Sequence, residues 1–460
     1  MIHGKGRVRP PKEQLALISD AGALPATDKE GRAFGNPAFA TNKSLPVHRW
    51  VPWIAGFSRE FVAGALSKYL ERPSMVVDPF CGVGTTLVEA MLAGHRVVGF
   101  EINPYPVLAC RTKVNAHRID PTTLGRAIRS FRSFYRSKTS SSYLPATRPP
   151  QGFRTRGEFY SPAVLRKVLI VLDFIETIED SRVRDIFRVS FASTMVSYSN
   201  YSYEPSLSRR VSAGRSDVED FAVGETIERK LLEMAHDVRW FRRSLPKKRA
   251  SAKVILDTFF NSQNHLAPDS VDLLITSPPY LNNYHYNRNT RPHLYWLGFV
   301  SQPDDMKPLE ERNFGKFWQT VRELERVDLE FSLPDSDLLA QLEKMRGLNT
   351  DKGVYGGNGW ANYAAAYFND CHRFAKAMKR VLRPGGTALV VIGNSIIQGL
   401  LIPTDHYLGK IAESVGLDLV DIHVPRATRV GNSIIQSDVR VGKAKDSHRL
   451  YEAVVEIRKT

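Results

Sequence analysis

The chain has 460 residues, of which 42% are hydrophobic, 10% aromatic and 24% charged, the balance of a folded protein and not of a disordered polymer. That length leaves room for one large α/β domain with insertions, or for two domains. The formal charge is +16, and the stretch from Arg111 to Lys253 carries 13 of that surplus, with 28 Lys/Arg against 15 Asp/Glu. No apolar run approaches the roughly 18–20 residues that span a bilayer, and the basic Met1–Pro11 start lacks the apolar core of a secretory leader. Cys81, Cys110 and Cys371 are far apart with no C-x-x-C spacing, which argues against a disulfide framework or a cysteine zinc site. A reducing cytoplasm, no metal and no membrane are the expectations.

In chain order, residues 1–45 mix proline, glycine and charge and read as an arm, with one short helix over Glu13–Asp20. Ser58 then caps a helix whose apolar residues Phe61, Val62, Leu66, Tyr69 and Leu70 recur at helical spacing. Met75–Val77 reads as a buried strand, Thr85–Ala93 as a helix, and Arg96–Phe100 as a second strand ending at Glu101. Such a strand–helix–strand unit implies parallel pairing through a right-handed crossover. Residues 118–252 lack strand alternation, and helices are expected at Ser161–Ile178, Arg182–Tyr198 and Val218–Phe241. Strand character returns at Val254–Leu256 and Val271–Ile275, and a second insertion covers roughly 285–365. A helix over Phe368–Leu382 closes at the Arg383-Pro384-Gly385-Gly386 turn into the strand Thr387–Ile392. The helix His406–Val415 and the strands Leu417–His423 and Glu452–Ile457 complete the chain.

The stretch from Arg118 to Arg156 holds nine basic residues and one acid, Asp120, interleaved with Phe131, Phe134, Tyr135, Tyr143 and Phe153. Basic residues with aromatics between them fit phosphate contact plus base stacking on nucleic acid. The plainer alternative is a solvated basic helix face whose aromatics belong to a core.

Two segments carry the chemistry. Val76-Val77-Asp78-Pro79-Phe80-Cys81-Gly82-Val83-Gly84-Thr85-Thr86 is a strand running into a glycine turn and a helix, where backbone N–H groups hold a nucleotide-like cofactor closely. It lacks the third glycine of the dinucleotide fingerprint and the lysine of a phosphate-cradling loop. Asp78 before the turn suits a cofactor with a cationic amino-acid end, and Glu101 at the second strand's tip suits a ribose diol. Cys81 reads as a small packing residue. The second segment, Leu274-Ile275-Thr276-Ser277-Pro278-Pro279-Tyr280, ends a strand in a stiff Pro-Pro turn. An exocyclic nucleobase amine is a poor nucleophile, because its lone pair is conjugated into the ring. Fixed acceptors at its protons, here the Ser277 side chain and the Pro278 carbonyl, aim that nitrogen. Tyr280 offers a ring on which an extruded base stacks.

The Asp-Pro-Phe-Cys-Gly-Val-Gly-Thr-Thr and Ser-Pro-Pro-Tyr segments resemble motifs I and IV of the S-adenosylmethionine-dependent DNA amino-methyltransferases, in particular the N4-cytosine type. The likeness includes His48-Arg49-Trp50 through Phe57-Ser58, Ser277–Tyr286, and Leu382-Arg383-Pro384-Gly385-Gly386 to Asn394-Ser395. The resemblance implies a Rossmann-like class I methyltransferase, α/β with a mostly parallel central sheet, an antiparallel final strand and helical insertions. It implies a catalytic domain over 46–117 and 253–460, with the basic helical insertion 118–252 as candidate target-recognition region. It also implies that Phe57, Asp78, Pro79, Phe80, Gly82, Gly84 and Thr85 line S-adenosylmethionine, that Glu101 binds its ribose, and that Asp257 meets its adenine. Ser277, Pro278, Pro279 and Tyr280 form the catalytic set, and His285 with Tyr284 and Tyr286 are candidates for the base pocket or for a packed loop.

The function expected is transfer of a methyl group to the N4 amine of a flipped cytosine in double-stranded DNA, with room for a restriction or defence partner. The alternatives are adenine N6 in DNA or an amine in RNA, because Ser in motif IV correlates only imperfectly with cytosine. A non-catalytic nucleic-acid-binding module is the reading from another class, and the intact Ser-Pro-Pro-Tyr and Glu101 argue against it. Pro303-Asp304-Asp305 and Pro334-Asp335 lack the Glu-x-Lys that would make a fused nuclease.

Overall fold

The computed structural model describes residues 39–53, 56–203, 206–246, 250–282, 284, 286–334, 336–428 and 450–460. The helix expected at Glu13–Asp20 and the candidate His285 lie outside the described residues. One sheet has seven strands, numbered in chain order: β1 (Met75–Asp78), β2 (Arg96–Glu101), β3 (Ser251–Leu256), β4 (Val271–Thr276), β5 (Leu382–Gly393), β6 (Asp418–Thr428) and β7 (Leu450–Arg458). Their spatial order is β6-β7-β5-β4-β1-β2-β3. β1 pairs in parallel with β2 and β4, β2 with β3, and β4 with β5. The final strand, β7, runs antiparallel to both β5 and β6. This is the mostly parallel, Rossmann-like class I architecture expected from the sequence. The order turns back on itself between β1 and β4, where an open parallel sheet forms its crevice.

The helices are α1 (Arg59–Tyr69), α2 (Thr85–Leu92), α3 (Pro104–Val114), α4 (Pro121–Thr139), α5 (Pro162–Glu176), α6 (Ser181–Thr194), α7 (Val223–Ser244), α8 (Tyr286–Trp296), α9 (Lys307–Glu311), α10 (Trp318–Val321), α11 (Leu338–Arg346), α12 (Gly357–Val381) and α13 (Thr404–Ser414). Ser58 caps α1 as expected, its hydroxyl accepting from the Phe61 N–H at 3.1 Å. Several boundaries differ from the expectation, among them that of β5, which already starts at Leu382 where a turn over residues 383–386 is expected. α12 starts eleven residues before Phe368. α7 starts only at Val223, and the Val218 N–H before it donates to the Asn200 side chain at 2.8 Å. A hairpin, Tyr201–Tyr203 with Leu207–Arg209, interrupts the helical insertion.

The aromatics of the basic stretch belong to the core, and the expectation that they stack on nucleic acid is corrected. On α4 the buried residues are Leu124, Ile128, Phe131 and Tyr135, a single helical stripe. The Phe131 ring stands 5.4 Å from Phe174 and 5.8 Å from Phe187, and Phe134 stands 5.4 Å from Phe174. Phe153 packs on Phe159 and Tyr295. The opposite face of α4 exposes Arg126, Arg129, Arg132 and Arg136, with Arg132 paired to Glu228.

Asp237 of α7, which is fully buried, ties the helices between β2 and β3 to the segment before α1. Its carboxylate accepts from the Val47 N–H (2.9 Å), the Arg49 guanidinium (2.6 and 3.0 Å) and the Trp50 indole (3.0 Å). Burial alone would raise that carboxyl, but the Arg49 hydrogen bond and charge hold it below the ordinary range. Asn42, counted with the arm by its sequence, is also buried. Its amide donates to the Phe57 carbonyl at 3.1 Å and accepts from the Arg59 N–H at 2.9 Å.

Candidate active site

β1, β2, β3 and β4 all finish at the same edge of the sheet, so the residues at or just past their ends (Asp78, Glu101, Asp257 and Ser277) converge. A cavity of about 370 Å³ opens there. Phe57, Pro79, Phe80, Gly82, Glu101 and Asp257 line it from the expected cofactor half, and Ser277, Pro278, Pro279 and Tyr280 line it from the expected reacting half.

Asp78 ties the two halves together. It is 1% exposed. One oxygen accepts from the Phe80 N–H (3.1 Å) and the Thr276 hydroxyl (2.7 Å), and the other from the Thr86 hydroxyl (2.7 Å). Burial pushes the carboxyl up to about 6, against the pull of these hydrogen bonds. A bond from β1 to the last residue of β4 fixes the glycine turn relative to the proline turn. Asp78 and Thr85 do not border the main cavity. With Phe57, Gly82 and Ser277 they enclose an adjoining void of about 20 Å³.

Gly82 and Gly84 have different duties. Gly82, at φ +46°, borders the cavity, and a Cβ there would stand 3.2 Å from the Trp53 indole nitrogen. Gly84 caps α2 at φ +88° and faces away, where a Cβ would come within 2.5 Å of the Cys110 sulfur. Gly84 lets α2 pack on α3 and does not border the cavity. Cys81 is buried beside Cys110, whose hydrogen bond, together with burial, raises its thiol well above the ordinary value. It is a packing residue and no thiolate nucleophile.

Glu101 accepts from the Asn103 N–H at 2.8 Å. Burial pushes its carboxyl up to about 7, with backbone hydrogen bonds from Asn103, Gly82 and Ile102 opposing. Asp257 borders the cavity, but three donors already hold its carboxylate: the Thr258 N–H (2.8 Å), the Asn261 amide (2.9 Å) and His265 (3.0 Å). Burial would raise it, and those hydrogen bonds outweigh burial and lower it.

The proline turn is braced from behind. The Tyr367 hydroxyl of α12 donates to the Pro279 carbonyl at 3.0 Å, and the Ser395 hydroxyl donates to the Leu281 carbonyl at 2.6 Å. Among the described residues no donor reaches the Pro278 carbonyl. The Ser277 hydroxyl lies 3.5 Å from the Tyr280 hydroxyl, which in turn donates to Glu452 of β7 at 3.2 Å. Burial and the nearby Glu452 charge raise the Tyr280 phenol well above its ordinary value, so it stays a neutral donor.

Several wall residues were not anticipated: Trp53, Asn103, Asn287, Thr290 and Glu452. Asn103 donates to Thr290 at 2.8 Å, and Tyr105 stacks on His293 at 4.1 Å, so α8 is clamped onto α3 beside the cavity. Tyr284 and Tyr286 also line it, their rings 4.9 Å apart. Among the described residues of the segment before the glycine turn, Trp53, Gly56 and Phe57 reach the cavity. His48 is spent on Glu89 at 2.8 Å. Among the described residues no cluster of His, Cys, Asp or Glu is arranged to hold a metal, and no helix is long and apolar enough to cross a membrane.

A family model described as DNA methylase, of the N6/N4 type, matches residues 51–109, which contain the glycine turn and Glu101. The chain is similar to the type II methyltransferase M.BsoBI of Geobacillus stearothermophilus, 22% identical over 436 residues, covering 86% of this chain and 83% of the relative. It is similar to the type II methyltransferase M.AvaI of Nostoc sp., 24% identical, covering 86% and 84%. A third relative, the type II methyltransferase M.MvaI of Kocuria varians, is 21% identical with 73% of each chain covered.

Proposed function

Taking the chain as a member of the DNA amino-methyltransferase family, we propose that it methylates the exocyclic N4 amine of a cytosine flipped out of double-stranded DNA, with S-adenosylmethionine as donor. The observation that carries this reading is that Gly82 and Glu101 share one cavity with Ser277 through Tyr280. Two features of the cavity fit the cofactor. Gly82 leaves its wall free of a side chain, and Glu101 offers a carboxylate fixed by the Asn103 N–H at 2.8 Å. S-adenosylmethionine, when bound, supplies a methyl group on a positively charged sulfur.

The chain's own residues then have distinct tasks. Glu101 accepts from ribose hydroxyls, and Phe57, Pro79 and Phe80 exclude water around the cofactor. Ser277 and the Pro278 carbonyl accept hydrogen bonds from the two amine N–H groups and aim the nitrogen lone pair, the turn being held rigid through Pro279 and Tyr367. Tyr280 carries the base by stacking. The alkylated amine is strongly acidic and releases its proton to water, so no buried base is required. The insertion 118–252, anchored through Asp237 and basic on its exposed α4 face, is the candidate for DNA contact. The type II designation of the relatives supports a role beside a restriction enzyme.

The test is mass spectrometry of nucleosides from DNA and RNA of a host expressing the chain, against a host without it. N4-methyldeoxycytidine in DNA supports the reading. N6-methyladenine in DNA, or a methylated amine in RNA alone, replaces it.

A further inference from the structure

Tyr280 is held by two residues that come from the far end of the chain. Gly393 of β5 and Glu452 of β7 are direct partners across the antiparallel pair. A Cβ at Gly393 would stand 3.2 Å from both Cδ2 and Cε2 of Tyr280, so the ring edge lies against bare backbone. At the same place the phenol donates to Glu452 Oε1 at 3.2 Å. Glu452 is half-buried and borders the cavity together with Tyr280 and Ser277. Any side chain at 393 would push the ring toward the cavity, and loss of the carboxylate would free it to turn about its side-chain torsions. A carboxylate acceptor and a side-chain-free strand position together set both the tilt and the depth of one ring.

We propose that Glu452, with Gly393 opposite it, is the positioning residue that seats the Tyr280 ring for the extruded base. The proposal rests on the methyltransferase reading given above. Glu452 acts through Tyr280 and not on the amine itself. The free energy of stacking a base on an aromatic ring depends on that ring being held parallel and waiting, and a ring that must first be ordered contributes less.

The experiment is a double-mutant cycle on the full chain, reading transfer of labelled methyl groups to unmethylated genomic DNA and, separately, cofactor affinity by calorimetry. Glu452→Ala is expected to lower kcat/KM for DNA by about tenfold or more, while cofactor affinity stays within about twofold. Glu452→Gln, whose amide oxygen still accepts from the phenol, loses less. In a Tyr280→Phe background the Glu452→Ala penalty falls to within about twofold. An equal penalty in both backgrounds overturns the proposal, as does wild-type kcat/KM in Glu452→Ala or a parallel loss of cofactor affinity. Should Glu452→Ala fail to fold, Gly393→Ala carries the same test, with its loss expected to vanish when Tyr280 is replaced by Leu and the proposal overturned if it persists. A wild-type chain that transfers no label defeats the methyltransferase reading instead, and that arm is read independently.

Discussion

Replacing Glu101 by Gln tests the cofactor half of the site in a way that the structure makes quantitative. In the free protein, burial pushes the Glu101 carboxyl from its ordinary 4.5 up to about 7. The sign follows directly. A carboxyl raised by folding contributes stability that is present below about pH 4.5 and is lost as pH rises toward 7. The ribose hydroxyls donate, so they favour the anion. With a titration near 7, the fraction ionised falls from about nine-tenths at pH 8 to about one-tenth at pH 6, weakening binding about tenfold over that span. At pH 8, Gln removes the charge from the hydrogen bonds, a loss of roughly 2 kcal/mol, or about thirtyfold. Calorimetric titration of wild type and Glu101→Gln with S-adenosylmethionine from pH 6 to 8 reads both effects, and their ratio cancels titration of the ligand. The two affinities should converge as pH falls. Parallel curves over the whole range would refute the ribose assignment.

Tyr280→Ala should cost roughly 1–3 kcal/mol in DNA-side binding with cofactor affinity retained, measured as KM for DNA against calorimetric Kd. Joint loss of both would end the proposed division of labour. Gly84→Ala should lower stability by roughly 1–3 kcal/mol, read by chemical denaturation, because it combines a left-handed backbone with a clash on Cys110. Exchanging Arg126, Arg129 and Arg136 on the exposed α4 face for Gln should flatten the log–log salt dependence of DNA affinity by about one unit for each phosphate contact removed. An unchanged slope would move DNA contact to another surface.

The strands β1, β2 and β4 are legible in the sequence because they are short, mostly apolar, and end in unusual residues. Val271–Thr276 has only one side chain, Asp272, that is not buried or strongly apolar, and Ser-Pro-Pro-Tyr marks its end. The four tips that build the cavity were therefore readable one at a time, each from its own local segment. Glu452 was not, since only the antiparallel pairing of β7 with β5 brings it beside Tyr280, which lies 172 residues earlier in the chain. Asn42 and Asp237 escaped for the same reason, their partners being set by tertiary contact. The aromatics of α4 did carry a local signal: Leu124, Ile128, Phe131 and Tyr135 lie on one helical face. Their period marks a core stripe within a strongly basic segment. Within the one glycine turn, backbone direction puts Gly82 at the cavity and Gly84 against Cys110.

The claim on which the account stands is that one cavity brings a sulfonium methyl group to a cytosine amine. Incubating the purified chain with S-adenosylmethionine carrying a deuterated methyl group and unmethylated DNA, then digesting to nucleosides, measures that transfer directly. Deuterated N4-methyldeoxycytidine is expected in the wild-type digest, and at least about a hundredfold less with Ser277→Ala. Label at cytosine C5 or adenine N6, or undiminished label with Ser277→Ala, would contradict it.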